Sequence, residues 1–252
     1  MLLAIDVGNT NTVLGLFDGE VLEHSWRVKT DSRSTADELA LTFRGLLSGA
    51  GDVTGIALCS TVPSVLRELR TMLARYYPGQ HTVIVERGTK TGVPVLTDNP
   101  KEVGADRIVN TLAAHHLVAG PAIVVDFGTS TNLDVVSAKG EFLGGALAPG
   151  IEISLDALAA RAAQLRKVEL VAPRSVIGKN TVESLQSGLL YGFAGQVDGL
   201  VRRILAELDE PEVAVIATGG LAPIVLDLSE TITRHEPDLT LIGLRLVYAR
   251  NP

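Results

Sequence analysis

Two short segments of the chain carry residue types that bind phosphate groups. The first is DVGNTNT, from Asp6 to Thr12, and the second is DFGTSTN, from Asp126 to Asn132. The glycine of each segment lets the backbone turn tightly and approach a ligand closely. The amide and hydroxyl groups that follow can hydrogen-bond to phosphate oxygens, and an aspartate at a strand end can hold a hydrated cation. Either segment alone is typical of an ordinary polar turn, but two copies favour nucleotide binding.

The spacing of these segments indicates an internal duplication. Asp126 follows Asp6 by 120 residues, about half the chain, and the later pair Gly19-Glu20 is echoed by Gly140-Glu141. Two unrelated strand-turn motifs are the alternative, but the matching acid, glycine and hydroxyl run favours duplication. We therefore predict two halves, residues 1–118 with the first phosphate loop and residues 119–252 with the second.

Periodicity and turn signals place secondary structure around the first segment. Asp18-Gly19 is a strong hairpin signal, and Thr35 with Glu38 forms a capping-box pattern before a helix that ends near Gly49. The predicted strands are residues 2–7, 12–17, 21–28, 56–59 and 82–85. Further helices are predicted over residues 64–77, entered through Pro63, and 105–117, with a loop over residues 91–100 between them.

The second half restarts with an apolar strand over residues 122–125 and contains a helix over residues 181–208. A third glycine motif, Ala217-Thr218-Gly219-Gly220-Leu221, follows a predicted strand over residues 213–216 and precedes a predicted helix. Adjacent glycines give flat access to a backbone, on which an adenosine could pack; a plain strand-to-helix turn explains the motif equally well. The pattern predicts an α/β fold of two actin-like (ribonuclease H-like) halves, with mixed sheets flanked by helices and a cleft between them.

Composition excludes several classes of function. The 29 acidic residues outnumber the 22 Lys and Arg, for a net charge of −7, which argues against binding to nucleic acid or anionic membranes. No apolar run approaches the ~20 residues of a membrane span. The one cysteine, Cys59, follows an apolar stretch and is predicted to be a buried thiol in a reducing compartment. We therefore expect a cytoplasmic protein.

The glycine motifs are not those of a P-loop or of a dinucleotide-binding fold, because neither Gly-x-x-x-x-Gly-Lys-Ser/Thr nor a strand followed by Gly-x-Gly-x-x-Gly occurs. Two Asp-x-Gly loops with a late Thr-Gly-Gly resemble the superfamily of actin, hexokinase and heat-shock chaperones. Within it, stretches along the whole chain resemble the type III pantothenate kinase family. Besides residues 6–12, these stretches are TADE at 35–38, NPKEVGADR at 99–107, GGALAPG at 144–150, IGKNT at 177–181 and ATGGL at 217–221.

The resemblance implies ATP-dependent phosphorylation of pantothenate, the first step of coenzyme A biosynthesis. It implies that Asp106 is the general base that accepts the proton of the pantothenate hydroxyl. Helix capping or pairing with Arg107 or Lys101 would be the ordinary explanation of this aspartate. Its predicted place near a helix N-terminus should favour the charged carboxylate, so we expect a weak base for which orientation matters most.

Further roles follow from the same resemblance. It implies that Gly104, Arg107 and Thr181 hold pantothenate. The ATP-binding residues would be Asp6, Gly8, Asn9, Thr10, Asn11, Thr129 and Gly219. It also implies a monovalent cation, K⁺ or NH₄⁺, at Asp126 and a divalent ion, Mg²⁺ or another, held by Asp6 through water. The sequence departs from the family pattern at Asn132 and Thr97, which bears on details of substrate contact and not on the reaction.

One predicted helix carries a periodic glycine face. Gly188, Gly192, Gly195 and Gly199 recur at four, three and four residues, and each glycine costs a helix up to ~1 kcal/mol. Close packing should offset this cost, either against the chain's own sheet or against a second subunit, and the family resemblance implies a homodimer. Two rival functions remain open: a non-catalytic accessory protein of the same fold, and a kinase for another small hydroxy acid or sugar.

Overall fold

The computed structural model describes residues 1–161 and 168–252, which form two compact units. Unit 1 comprises residues 1–93, 99–113 and 239–252, and unit 2 comprises residues 94–98 and 114–238. Each unit contains one mixed five-stranded sheet. The division into duplicated halves at residues 118 and 119 stays a prediction.

The sheet of unit 1 has the strand order β3-β2-β1-β4-β5. The strands β1 and β2 and the strands β2 and β3 pair antiparallel, whereas β1, β4 and β5 run parallel. Its strands are β1 (Leu2–Val7), β2 (Asn11–Asp18), β3 (Val21–Lys29), β4 (Gly55–Ser60) and β5 (His81–Ile84). Its helices are α1 (Ala36–Leu46), α2 (Pro63–Tyr76), most of α3 (Ala105–Val118) and the C-terminal α6 (Leu239–Ala249).

Alternation along β1 divides the core of unit 1 into two layers. Leu3, Ile5 and Val7 pack with α1 and α2 on one face of the sheet. On the other face, Ala4 packs with residues of α3 and α6. Because successive side chains of a strand point to opposite faces, Asp6 belongs to the second face, together with Ala4.

The sheet of unit 2 repeats this arrangement in the order β8-β7-β6-β9-β10. Here too the first three consecutive strands pair antiparallel and the others run parallel to the central strand. Its strands are β6 (Ala122–Phe127), β7 (Ser130–Val136), β8 (Phe142–Pro149), β9 (Ala214–Thr218) and β10 (Arg234–His235), and its helices are α4 (Ile151–Arg161) and α5 (Thr181–Leu208). The matching topology confirms the predicted pair of duplicated, actin-like sheets.

Local signals in the sequence are confirmed where they are strongest. The capping box is present, because Thr35 Oγ1 accepts from the Glu38 amide at 3.4 Å while the Thr35 amide donates to Glu38 Oε2 at 2.8 Å. The predicted helix after Ala217–Leu221 is wrong. Two short 3₁₀ turns, Ala222–Ile224 and Leu226–Leu228, stand there, and Pro223 lies within the first. Within the described residues, no helix is long and apolar enough to cross a bilayer.

A buried aspartate ties the segment after these turns to α5. Asp198 is 5% exposed and accepts hydrogen bonds from the hydroxyls of Ser229 (2.6 Å) and Thr231 (2.7 Å). It also accepts from the backbone N–H groups of Glu230 and Thr231. Burial by itself would raise the pKa of Asp198, but these donors outweigh burial and lower the pKa. The charged carboxylate therefore stabilises the fold of unit 2.

We expect Asp198→Ala to lower the free energy of unfolding by roughly 3 kcal/mol, because hydrogen bonds to a charged group contribute about 1.5–3 kcal/mol and the freed donors stay buried. The pKa of Asp198 is lower in the folded state than in the unfolded state. Its contribution to the free energy of unfolding is therefore full at pH values above the usual aspartate range and is lost as the pH falls below that range. Urea unfolding at neutral and acidic pH measures both effects. The exposed Asp227→Ala serves as the control, and an equal loss for the two variants would contradict this account.

Candidate active site

The first predicted phosphate loop is the tight turn between β1 and β2 in unit 1. The Gly8 amide donates to the Asn11 carbonyl at 3.0 Å, and a Cβ at Gly8 would lie 3.1 Å from that oxygen. The next residues, Asn9 and Thr10, are exposed, and the Thr10 carbonyl accepts from the Thr30 amide at 2.9 Å. The turn therefore presents polar groups to solvent from a backbone that the sheet holds at both ends.

Asp6 lies next to this turn, on the face of the sheet that carries α3. Its Oδ1 accepts a hydrogen bond from the Cys59 thiol, with sulfur and oxygen 3.4 Å apart, because Asp6 and Cys59 are direct partners in the parallel pairing of β1 with β4. Burial and the charge of Asp106 raise the pKa of Asp6 to about 6, although the Cys59 thiol and Arg27 act in the opposite direction. The unit thus brings Asp6 and Asp106 within electrostatic range of each other.

Asp106 is the second residue of α3. Its Oδ1 is buried and has no hydrogen-bond partner among residues 1–161 and 168–252. A Cβ at Gly104 would overlap this oxygen, so the glycine provides the space in which the carboxylate sits. Burial raises the pKa of Asp106 despite the opposing effects of the Arg107 backbone and side chain. The expectation that the helix N-terminus keeps this carboxyl a weak base is therefore wrong, because burial outweighs the nearby donors and the positive charge.

The second predicted loop is the turn between β6 and β7 in unit 2. The Gly128 amide donates to the Ser130 carbonyl at 3.0 Å, and Gly150, after β8, donates to the Thr129 carbonyl at 3.1 Å. Thr129 is exposed at the tip of the turn, as Asn9 and Thr10 are in unit 1. The GGALAPG segment therefore ends against this loop and fixes its backbone.

The late glycine motif meets the same loop. Thr218 is the register partner of Asp126 in the parallel pairing of β6 with β9, and the Leu221 amide donates to the Phe127 carbonyl at 3.2 Å. Gly219 has φ +90°, and a Cβ there would lie 2.5 Å from Asp126 Oδ1. Glycine is needed at this position both for its conformation and for the space beside the carboxylate. Unit 2 thus gathers Asp126, Thr129 and Gly219.

The remaining predicted residues lie elsewhere in the fold. Thr181 is the exposed first residue of α5, next to Asn180, whose side chain accepts from the Glu183 amide at 2.9 Å. Asn132 is 8% exposed on β7. The Oδ1 of Asn132 and the Oγ1 of Thr97 are both buried and lack hydrogen-bond partners among the described residues. Both departures from the family pattern are thus polar groups inside unit 2.

Two residues that act on Asp6 were missed by sequence reasoning. Cys59 is buried and free, as predicted, but its thiol also donates to Asp6. Burial and the nearby Asp6 and Asp106 charges raise the pKa of this thiol, so it stays protonated and able to donate. Arg27 acts on Asp6 electrostatically from β3. No sequence signal identifies either partner, because both depend on how distant strands pair.

Comparison with protein families gives a match over most of the chain. Residues 2–203 match the family described as type III pantothenate kinase. The chain is 72% identical over 251 residues to a protein named type III pantothenate kinase from Frankia casuarinae, and the alignment covers 100% of both proteins.

Solved structures share the fold at much lower identity. A protein from Campylobacter jejuni, titled a conserved putative Baf family transcriptional activator, has a TM-score of 0.62 at 16% identity, with 99% of this chain and 98% of that chain covered. The inorganic polyphosphate/ATP-glucomannokinase from an Arthrobacter strain has a TM-score of 0.53 at 15% identity, with 100% and 99% covered. These similarities support the actin-like fold alone.

Proposed function

The chain belongs to the type III pantothenate kinase family, and from that premise we propose how its own residues phosphorylate pantothenate. The reaction transfers the γ-phosphoryl group of ATP to pantothenate, which gives 4′-phosphopantothenate and ADP, the first step towards coenzyme A. A bond forms between the pantothenate hydroxyl oxygen and the γ-phosphorus, while the bond from that phosphorus to the β-phosphate oxygen breaks. The hydroxyl proton leaves to a carboxylate of the protein.

The observation that carries the proposal is the environment of Asp106. Its buried Oδ1 has no partner within the described residues, and its pKa is raised. A carboxylate in that state is a better proton acceptor than an exposed one, and its free oxygen is available to a substrate hydroxyl. In a loose phosphoryl-transfer transition state, little proton removal is needed early, so Asp106 first orients the hydroxyl and then accepts its proton.

The proposal assigns the phosphates of ATP to the two turns. Asp6, Gly8, Asn9, Thr10 and Asn11 would bind phosphate in unit 1, and Thr129 and Gly219 would bind the nucleotide in unit 2. Support comes from the exposed polar tips of both turns and from the absence of a side chain on Gly8 and Gly219, where a Cβ would be crowded. Gly104, Arg107 and Thr181 are proposed to hold pantothenate, with the Arg107 fork matched to its carboxylate.

The charges of unit 1 fit a divalent cation. Burial and the neighbouring Asp106 carboxylate raise the pKa of Asp6 to about 6, and a cation there would relieve that repulsion. The described residues contain no cluster of three or more His, Cys, Asp or Glu side chains that could hold a metal. This suits Mg²⁺, which is commonly bound by one or two carboxylates together with water and substrate phosphates. We propose that Asp6 holds it through water, where it would neutralise phosphate charge.

A monovalent cation, K⁺ or NH₄⁺, is proposed at Asp126. Support comes from the close approach of Gly219 to Asp126 Oδ1, which keeps bulky side chains away from the carboxylate. Oxygen ligands of this kind suit hard cations.

One experiment tests the function directly. The purified protein is incubated with ATP, magnesium and a panel of small hydroxy acids and sugars, and phosphorylated products are identified by mass. We expect pantothenate to be the acceptor phosphorylated. Phosphorylation of another panel member instead would favour the kinase for a different hydroxy acid or sugar, and no product at all would favour a non-catalytic accessory protein.

We also propose a homodimer in the cytoplasm. A Cβ at Gly188, Gly192 or Gly195 would meet no atom of the described chain within 4 Å, so the glycine face of α5 does not pack on the chain's own sheet there. Unit 2 also exposes several large apolar side chains, among them Leu147, Val176, Ile177 and Val182. An open glycine face on α5, together with exposed apolar groups in the same unit, favours a second subunit over the chain's own sheet as the packing partner.

We expect Gly192→Leu to yield a monomer that has lost activity. Leucine fits the open side of the helix and has a higher helix propensity than glycine, so the fold of the monomer should survive while close packing between subunits fails. Sedimentation and turnover of the purified variant measure both effects. Gly45→Leu, a helical glycine of α1 that is equally open, is the matched control, and an unchanged dimer for Gly192→Leu would place the interface elsewhere.

A further inference from the structure

Two cationic side chains project from the edge strand of unit 1. Arg27 on β3 is the register partner of Val13, which is in turn the register partner of Asp6. Residues paired in this way place their side chains on the same face of a sheet, so Arg27 shares a face with Asp6. Two strand spacings, about 10 Å, separate their backbones. Lys29, two residues further along β3, lies on the same face opposite Asn11.

Arg27 is exposed, and its guanidinium is not used in binding another described residue. Among residues 1–161 and 168–252 it forms no ion pair or hydrogen bond. It is nevertheless near enough to Asp6 to oppose the effects of burial and of Asp106 on the pKa of that carboxyl. The guanidinium therefore lies on the Asp6 face of the sheet with its donors available.

The charge balance of this region calls for such a cation. Asp6 and Asp106 place two carboxylates beside a turn, residues 6–12, that contains neither Lys nor Arg. Phosphoryl transfer brings a group with three charged oxygens to the same place. An arginine fork matches phosphate oxygens bidentately, and it retains its charge at every pH at which the protein is folded.

We propose that Arg27 binds the oxygens of the phosphoryl group that is transferred to pantothenate. The inference rests on the proposed kinase function and adds a catalytic residue to it. In this proposal Arg27 takes part of the role that a lysine plays in P-loop enzymes, and its side chain comes from β3, the edge strand of the sheet. The carboxylate of pantothenate is the other anion that a guanidinium could bind, and the two sources give different results in the experiment below.

The experiment uses calorimetric titration of pantothenate and of 4′-phosphopantothenate, with turnover measured in parallel, on the wild type, Arg27→Ala and Arg27→Lys. For Arg27→Ala we expect affinity for the phosphorylated product to fall ~10- to 100-fold, as for the loss of a charge-assisted hydrogen bond. Affinity for pantothenate should be unchanged, and kcat should fall roughly 10²- to 10³-fold. Arg27→Lys keeps the charge without the fork, so its product affinity and its kcat should lie between those of the wild type and of Arg27→Ala.

Lys29→Ala is the matched control, since it removes the same charge from the same strand and sheet face, and exposed charges contribute little. Equal losses of product affinity and kcat for Lys29→Ala and Arg27→Ala would show a general effect of positive charge on this face, and would overturn the inference. If Arg27→Ala lost pantothenate affinity and product affinity equally, Arg27 would bind the carboxylate, and the inference would be overturned. An unchanged affinity of Arg27→Ala for the product would overturn the inference as well. A wild type that fails to phosphorylate pantothenate would instead overturn the proposed function, and this inference with it.

Discussion

Asp106→Asn is expected to lower turnover by ~10²-fold or more, the usual scale for a positioned acid–base group. Asparagine has nearly the same shape, so α3 and its packing should persist. Its amide cannot accept the proton of the pantothenate hydroxyl. The loss should therefore appear in kcat, measured with ATP and pantothenate at saturation, while the thermal unfolding curve stays close to that of the wild type.

Two further variants test whether the loss of turnover is specific to the position and charge of the Asp106 carboxylate. Gly104→Ala places a methyl group against Asp106 Oδ1, so the carboxylate must move while its charge remains, and we expect turnover to fall here as well. Asp18→Asn removes an exposed carboxylate of the same unit and should leave turnover unchanged. Near-normal turnover of a correctly folded Asp106→Asn protein would rule out Asp106 as the base.

Removal of divalent metal by a chelator is expected to abolish turnover. If the two turns bind ATP as proposed, each would place a carboxylate, Asp6 or Asp126, near phosphate, and neither residues 6–12 nor residues 126–132 contain a Lys or Arg. Metal must therefore offset most of the triphosphate charge, and we expect weak affinity for ATP. With magnesium present as the divalent ion, we expect turnover to be much faster with potassium or ammonium as the monovalent ion than with sodium or a bulky organic cation.

The assignment of the monovalent ion to Asp126 is tested separately. Asp126→Ala should lose the response to potassium, whereas Asp227→Ala, an exposed aspartate of the same unit, should keep it. Equal rates in sodium, potassium and the organic cation would contradict the cation assignment while leaving the kinase function standing. A full potassium response in Asp126→Ala would contradict the role of that residue alone.

Elements with strong local signals were predictable from the sequence. Strand β1 and helix α5 have the predicted bounds, because an apolar strand ending at glycine and a long helix with an Asn cap are encoded within a few adjacent residues. The strands β7 and β8 and the helices α4 and α6 were not predicted. Burial on both faces of β7 and the small, glycine-rich sequence of β8 blur the alternation that identifies a strand.

The sequence by itself determined the duplicated aspartate–glycine turns, the family and therefore the reaction, because these depend on residue types at short spacings. Only the tertiary structure decided what surrounds Asp6. Strand register places the Cys59 thiol on its Oδ1 and Arg27 two strands away, and the packing of α3 brings Asp106 within electrostatic range. Those partners lie 21 to 100 residues from Asp6 along the chain. Their proximity follows from burial of apolar faces over the whole unit, which no short segment encodes.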